Sequence, residues 1–201
     1  MKSNICKWAV IAFIPAAMLA ITSCSSTPEG ESGVAAAYQE GVPGGVVVQT
    51  YKTTATVTGI DTAERKVTLV GTDGKKNTIK CGPEVINFDQ IRIGDQVKAT
   101  VTEQLAVYMA KDNPSASEGQ ATVVALAPKG AKPGGVMANT VQVIARVTGI
   151  DLKHHKATLR FPDGTTKTVA VRKDVDLTQR QVGEEVVIRC TEAMAISVER
   201  P

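Results

Sequence analysis

Aromatic side chains are almost missing from this 201-residue chain, which has one Trp, three Tyr and three Phe. Beyond residue 23 only Tyr38, Tyr51, Tyr108, Phe88 and Phe161 remain. Its cores must therefore be built from Val, Ile, Leu and Ala, and an aromatic platform for stacking sugars or bases is disfavoured. Histidine is nearly absent too. His154 and His155 are adjacent, and neighbours on a strand point oppositely, so they do not converge on one ion, and no further ligands accompany them. No nucleophile motif stands beside them either. Asp61, Asp73, Asp89 and Asp95 fall at turn positions, where Asp bonds its own backbone. Gly44-Gly45 and Gly134-Gly135 lack the following Lys-Ser/Thr of a phosphate loop and read as turn residues. The chain is thus read as a non-enzyme without cofactor or metal.

Long hydrophobic runs are also lacking. The longest, Trp8 to Ile21, has fourteen residues interrupted by Pro15. A bilayer span needs about 20. A charge excess is lacking as well. The formal net charge is +3, but Lys2 and Lys7 precede residue 24 and no acid does. Removing those two lysines leaves 21 basic against 20 acidic side chains. Such a balance gives no case for nucleic-acid binding.

What is present begins with an export signal. Residues 1–23 combine a short basic start with an apolar core, the pattern of a signal peptide. Ile21-Thr22-Ser23-Cys24 resembles a bacterial lipobox, which implies cleavage before Cys24 and acylation of its thiol and amine. The resemblance implies a palmitate-type lipoprotein whose partner is the membrane. Ser25 rather than Asp after the cysteine implies the outer membrane, facing the periplasm. Residues 24–33 are small, polar and breaker-rich, and read as a flexible tether.

The mature chain echoes itself. Ala55-Thr56-Val57-Thr58-Gly59-Ile60-Asp61 returns as Ala145-Arg146-Val147-Thr148-Gly149-Ile150-Asp151. Pro43-Gly44-Gly45-Val46 returns as Pro133-Gly134-Gly135-Val136, and Val34 to Ala37 as Val124 to Ala127. After a one-residue gap, Thr102-Glu103-Gln104-Leu105-Ala106 matches Thr191-Glu192-Ala193-Met194-Ala195. Such self-similarity marks one unit used twice. Positions apolar in both copies predict the inward face: Val57/Val147, Leu69/Leu159, Ile79/Val169, Val97/Val186, Ala99/Ile188, Leu105/Met194 and Val107/Ile196. Alternation of these with Thr, Lys and Arg predicts strands with one wet face.

The division predicted is unit 1 at 34–110, a linker at 111–123 and unit 2 at 124–201. Each unit reads strand, strand, strand, short helix, strand, strand, which predicts all-β architecture with two tandem small barrels, OB-like or alternatively SH3-like. The two are expected to fold as separate cores. Cys81 and Cys190 are each expected inside their own core as small hydrophobes, not in a disulfide.

The stretch Gly82-Pro83-Glu84-Val85-Ile86-Asn87-Phe88-Asp89-Gln90-Ile91-Arg92-Ile93-Gly94-Asp95 resembles a family of bacterial exported repeat proteins with a GPEVxNFDQIxxGD motif. No activity attaches to that family; the resemblance implies a β domain in the cell envelope. Unit 2 departs from it, with Arg172-Lys173-Asp174-Val175-Asp176-Leu177 in place of the opening.

These readings converge on a lipid-anchored envelope protein acting as a structural or protein-interaction module. The alternative is a binding module for a glycan, peptidoglycan or small ligand. An envelope protein or cell-wall polymer is the expected partner, and Lys153, His154, His155, Lys156 and Arg160 form a basic patch that suits a polyanion.

Overall fold

The computed structural model describes residues 30–112 and 117–201. The signal, Cys24 and the tether up to residue 29 lie outside the described residues, as do linker positions 113–116. The elements are β1 (Glu31–Ala37), β2 (Gly45–Asp61), β3 (Lys66–Gly71), β4 (Lys76–Lys80), β5 (Gln96–Met109), β6 (Gly119–Leu126), β7 (Gly134–Asp151), β8 (Lys156–Arg160), β9 (Thr166–Ala170) and β10 (Glu185–Glu199). Short 3₁₀ turns occupy Phe88–Gln90, Ala110–Asp112 and Leu177–Gln179. No described residue is in an α-helix, and no described helix is long and apolar enough to cross a membrane.

The all-β expectation holds. All ten strands join one antiparallel sheet in the order β4-β3-β2-β5-β10-β7-β8-β9, with β1 paired to β2 and β6 to β7. The sheet is not closed into a barrel. Where the sequence suggests two closed barrels, one edge of β5 pairs with β2 and the other with β10 along the whole strand. No edge of β5 is left to close onto β4. The sequence also suggests two strands at 96–102 and 105–110, and the structure has the single strand β5 there.

The repeat explains the centre of the sheet. Glu103 lies opposite Glu192 in the β5–β10 ladder, and these two are equivalent in the repeat. The copies are therefore related by a two-fold operation through that pair. The β2–β5 and β7–β10 ladders share one register: Val46 faces Ala106, and its counterpart Val136 faces Ala195. The outer pairings differ. Ala36 faces Val47 while Val124 faces Met137, a two-residue offset from the sequence match. A slip of two keeps every side chain on its own face.

Two hydrophobic clusters result. The first gathers Val57, Val67, Leu69, Phe88 and Ile91, with Cys81 and Val97 against it. The second gathers Ala145, Val147, Leu159, Val186 and Ile188 together with Met109, and Leu105, Val107 and Cys190 pack on it. The end of β5, a strand of the first copy, thus supplies part of the second core. We call the halves lobe 1 and lobe 2, because their packing crosses the sequence division. Most shared apolar positions face inward. Ile79 is 49% exposed on edge strand β4, and Ile196 is 40% exposed on β10. The tether and linker are shorter than the sequence suggests, since Glu31 to Gly33 join β1 and Gly119 to Val123 join β6.

Candidate ligand pocket

Each lobe is shaped by the echoed heptapeptide. Between Val57 and Gly59, and again between Val147 and Gly149, the register shifts by one residue in a β-bulge. A bulge bends its strand. The Thr58 and Thr148 hydroxyls donate to the carbonyls of Thr68 and Thr158, each at 3.3 Å. The bend turns the outer strands back over the core. The closing Asp fixes the next turn: Asp61 Oδ1 accepts the Glu64 N–H at 2.9 Å, and Asp151 Oδ1 accepts that of His154 at 3.0 Å. Arg65 and His155 then take left-handed backbone conformations, with φ of 50° and 54°.

Those residues hold the connection from β4 to β5, or from β9 to β10, that caps each core. In lobe 1, Arg65 Nη2 donates to the carbonyls of Gly82 (3.1 Å) and Val85 (2.8 Å), and its guanidinium stacks 4.6 Å from the Phe88 ring centroid. In lobe 2, His155 Nε2 lies 3.0 Å from the Arg172 carbonyl oxygen. Asn87 reaches across to the other copy. Its Nδ2 donates to the Pro128 carbonyl at 2.9 Å, and its Oδ1 accepts the Gly130 N–H at 3.2 Å. Lobe 2 answers with Arg172. This guanidinium donates to the carbonyls of Gly44, Gln39 (3.0 Å) and Val42 (2.8 Å), lies 4.2 Å from the Tyr38 ring centroid, and pairs with Asp174 at 2.9 Å. Asp174 also accepts the Gly41 N–H at 2.9 Å. The Arg172 fork and the Gly41 N–H hold the Asp174 carboxyl well below the usual carboxylate range. Each lobe thereby grips the loop joining the first two strands of the other.

The caps differ where they meet the core. Hydrogen bonds place Phe88 opposite Leu177 in the comparison, since Ile91 N–H bonds the Phe88 carbonyl and Arg180 N–H the Leu177 carbonyl. Lobe 1 therefore buries Phe88 and Ile91 where lobe 2 has Leu177 and Arg180. With the smaller Leu177 and with Arg180 on its wall, lobe 2 has a cavity of about 150 Å³. Leu105, Val107 and Met109 of β5 form part of its wall, facing Val147, Leu159 and Val186. Pro43 and Gly44, in the loop held by Arg172, border it from lobe 1.

One polar feature of the cavity stands out. Asp95 of lobe 1 is buried and accepts the Arg92 N–H through Oδ2 at 2.9 Å. Its counterpart Glu184 lines the cavity and is one methylene longer. Glu184 Oε1 lies 3.7 Å from Arg180 Nη1. Glu184 Oε2 is buried without a hydrogen-bond partner.

The residues singled out from the sequence fare differently. Of the proposed basic patch, His154 turns to Asp151 at 2.7 Å and half-buried His155 to the Arg172 carbonyl. Lys153, Lys156 and Arg160 are exposed. Lys156 and Arg160 stand at opposite ends of β8, so the five side chains do not gather. No group of three or more His, Cys, Asp or Glu side chains that could hold a metal occurs among the described residues. Cys81 and Cys190 are half-buried, one against each core, and form no disulfide. Burial pushes the Cys81 thiol up. The glycine pairs do more than turn the chain: a Cβ on Gly44, whose φ is +99°, would overlap the Val107 carbonyl. Arg172, Leu177, Arg180 and Glu184 escape a sequence reading based on what the copies share. Their signal is the opposite one, positions where the copies disagree at a buried site.

Together these features define a two-lobed, all-β protein with a mostly apolar cavity in one lobe. The chain matches no family model and no curated protein.

Proposed function

We propose that this protein is a lipid-anchored module of the bacterial cell envelope that binds a small, apolar-bodied ligand in the cavity of lobe 2. The cavity carries the reading. It is lined mostly by apolar side chains and is of a size that holds a benzene-sized guest. The copy-specific Leu177, Arg180 and Glu184 are among the residues that line it. Cys24 is the anchor, held by acylation in the outer membrane and facing the periplasm. The six residues to Gly30 span at most about 20 Å, so lobe 1 stays close to the membrane. Each lobe is an opened small barrel, OB-like or SH3-like, whose last strand has been drawn into the shared sheet.

The test uses the chain from residue 24 with Cys24→Ala, which keeps every described residue. Toluene should shift the methyl resonances of Met109, Leu159 and Val186 saturably. Leu177→Phe, which installs the lobe 1 residue, should abolish those shifts while leaving the far-ultraviolet circular dichroism intact. An absence of saturable shifts in the parent chain sinks the pocket reading. Anchorage is tested separately. A palmitate analogue should label the wild type in cells and not Cys24→Ala.

A second reading, a protein-interaction module, is favoured by the edges. Every residue of β1 and β6 is exposed, including Val34 and Val124, and each strand pairs on one side only. Unprotected edges recruit further strands. Edge charges at Val34→Lys and Val124→Lys should then weaken any self-association seen by sedimentation.

A further inference from the structure

We propose that the ligand of the lobe 2 cavity carries a neutral hydrogen-bond donor, an O–H or N–H, on its apolar body, and that Glu184 Oε2 accepts it. This rests on the pocket reading above. Three observations carry it. Glu184 lines a mostly apolar cavity, and its Oε2 is a buried acceptor with no partner. Buried polar atoms are almost always hydrogen-bonded, so this oxygen retains the capacity to accept a donor. The second observation is the copy comparison. At the same place in lobe 1, Asp95 satisfies its carboxyl locally on the Arg92 N–H. The extra methylene of Glu184 moves the carboxyl off that backbone cap and towards the cavity and Arg180.

The third observation sets the charge of the ligand. The other Glu184 oxygen already faces Arg180 at 3.7 Å, and Arg172 is matched by Asp174 at 2.9 Å. The charges around the cavity are therefore balanced in pairs. A cationic ligand would meet Arg180, and an anionic one would meet Glu184. A neutral donor satisfies the orphaned oxygen and disturbs neither pair. The matching class is a monocyclic phenol, a benzylic alcohol or a short aliphatic alcohol or amide.

Phenol and toluene test this directly, because they have nearly the same shape and differ in one donor. Benzoate provides the anionic arm. Methyl shifts of the same chain give dissociation constants for each. Phenol should bind about tenfold more tightly than toluene, the ratio expected when one hydrogen bond to a charged acceptor is gained. Glu184→Asp retracts the carboxyl to the lobe 1 position and should bring the phenol-to-toluene ratio close to one. Equal binding of phenol and toluene by the parent chain would overturn the donor assignment and leave the pocket reading standing. Benzoate binding more tightly than phenol would overturn it too, since Arg180 would then be the recognising group. Failure of all three to bind removes the pocket itself.

Discussion

Single residues decide how the two lobes are tied together. Arg172 serves three carbonyls of the loop at 39–44 through one planar fork, a geometry that the lysine ammonium does not reproduce. Arg172→Lys should therefore speed amide exchange at Gly41 and its neighbours, and unchanged exchange would contradict the role. Asp174 supplies a pH dependence. Its carboxyl pKa is lowered in the folded state, chiefly by the Arg172 side chain. A depressed pKa contributes stability above the unfolded-state value, near 4, and that contribution is lost as the pH falls towards the folded value. Wild type should exceed Asp174→Asn in stability at pH 7, with the gap narrowing steadily below about pH 4. A gap independent of pH would show that the carboxylate charge does not matter. Gly44 is a third such residue. Gly44→Ala places a side chain at φ +99° against the Val107 carbonyl, and should cost about 1–3 kcal/mol by denaturant unfolding.

Among the elements, β5 and β10 are the centre of the molecule. They pair over fourteen residue pairs, from Gln96–Glu199 to Met109–Val186. Their midpoint sets Glu103 directly against Glu192, an arrangement that costs stability because like charges face each other. Glu192→Lys should convert the repulsion into an attraction and raise stability by about 0.5–1 kcal/mol. The gain should shrink in high salt, because the pair is partly exposed. A gain untouched by salt would point to strand propensity instead. The caps between the fourth and last strands of each lobe form the other decisive element. Their shared hydrogen bonds keep the fold, while Phe88 and Ile91 pack into the core of lobe 1 where Leu177 and Arg180 line the cavity of lobe 2.

The whole molecule should unfold as one body. Lobe 2 borrows Leu105, Val107 and Met109 from β5, and each lobe clasps a loop of the other. Met109→Ala removes a buried side chain of the second core from the first copy of the repeat, at a cost of about 2–5 kcal/mol. Calorimetry should show a single transition moving to lower temperature, with exchange protection falling in β8 and in β3 alike. Two transitions, with β3 protection unchanged, would mean that the lobes are energetically independent despite the shared sheet.

Much of this is written in the sequence. Its strands, its turns, the inward face at Val57, Val147, Leu69 and Leu159, and the undisulfided Cys81 and Cys190 follow from local alternation and from comparing two copies. Period-two patterning is a property of neighbouring residues, so neighbours suffice to read it. The echoed Thr-Gly was legible as a repeat but not as a bulge, because a bulge exists only relative to a partner strand. The pairing of β5 with β10 was not legible either. The same alternation satisfies a closed barrel and an open sheet, and only the tertiary structure chooses which edge a strand offers. The cavity stands furthest from the sequence. It depends on volumes and charges brought together from β5, β7, β8, β10 and the loop of the other lobe, and on one carboxyl oxygen left without a partner when they meet.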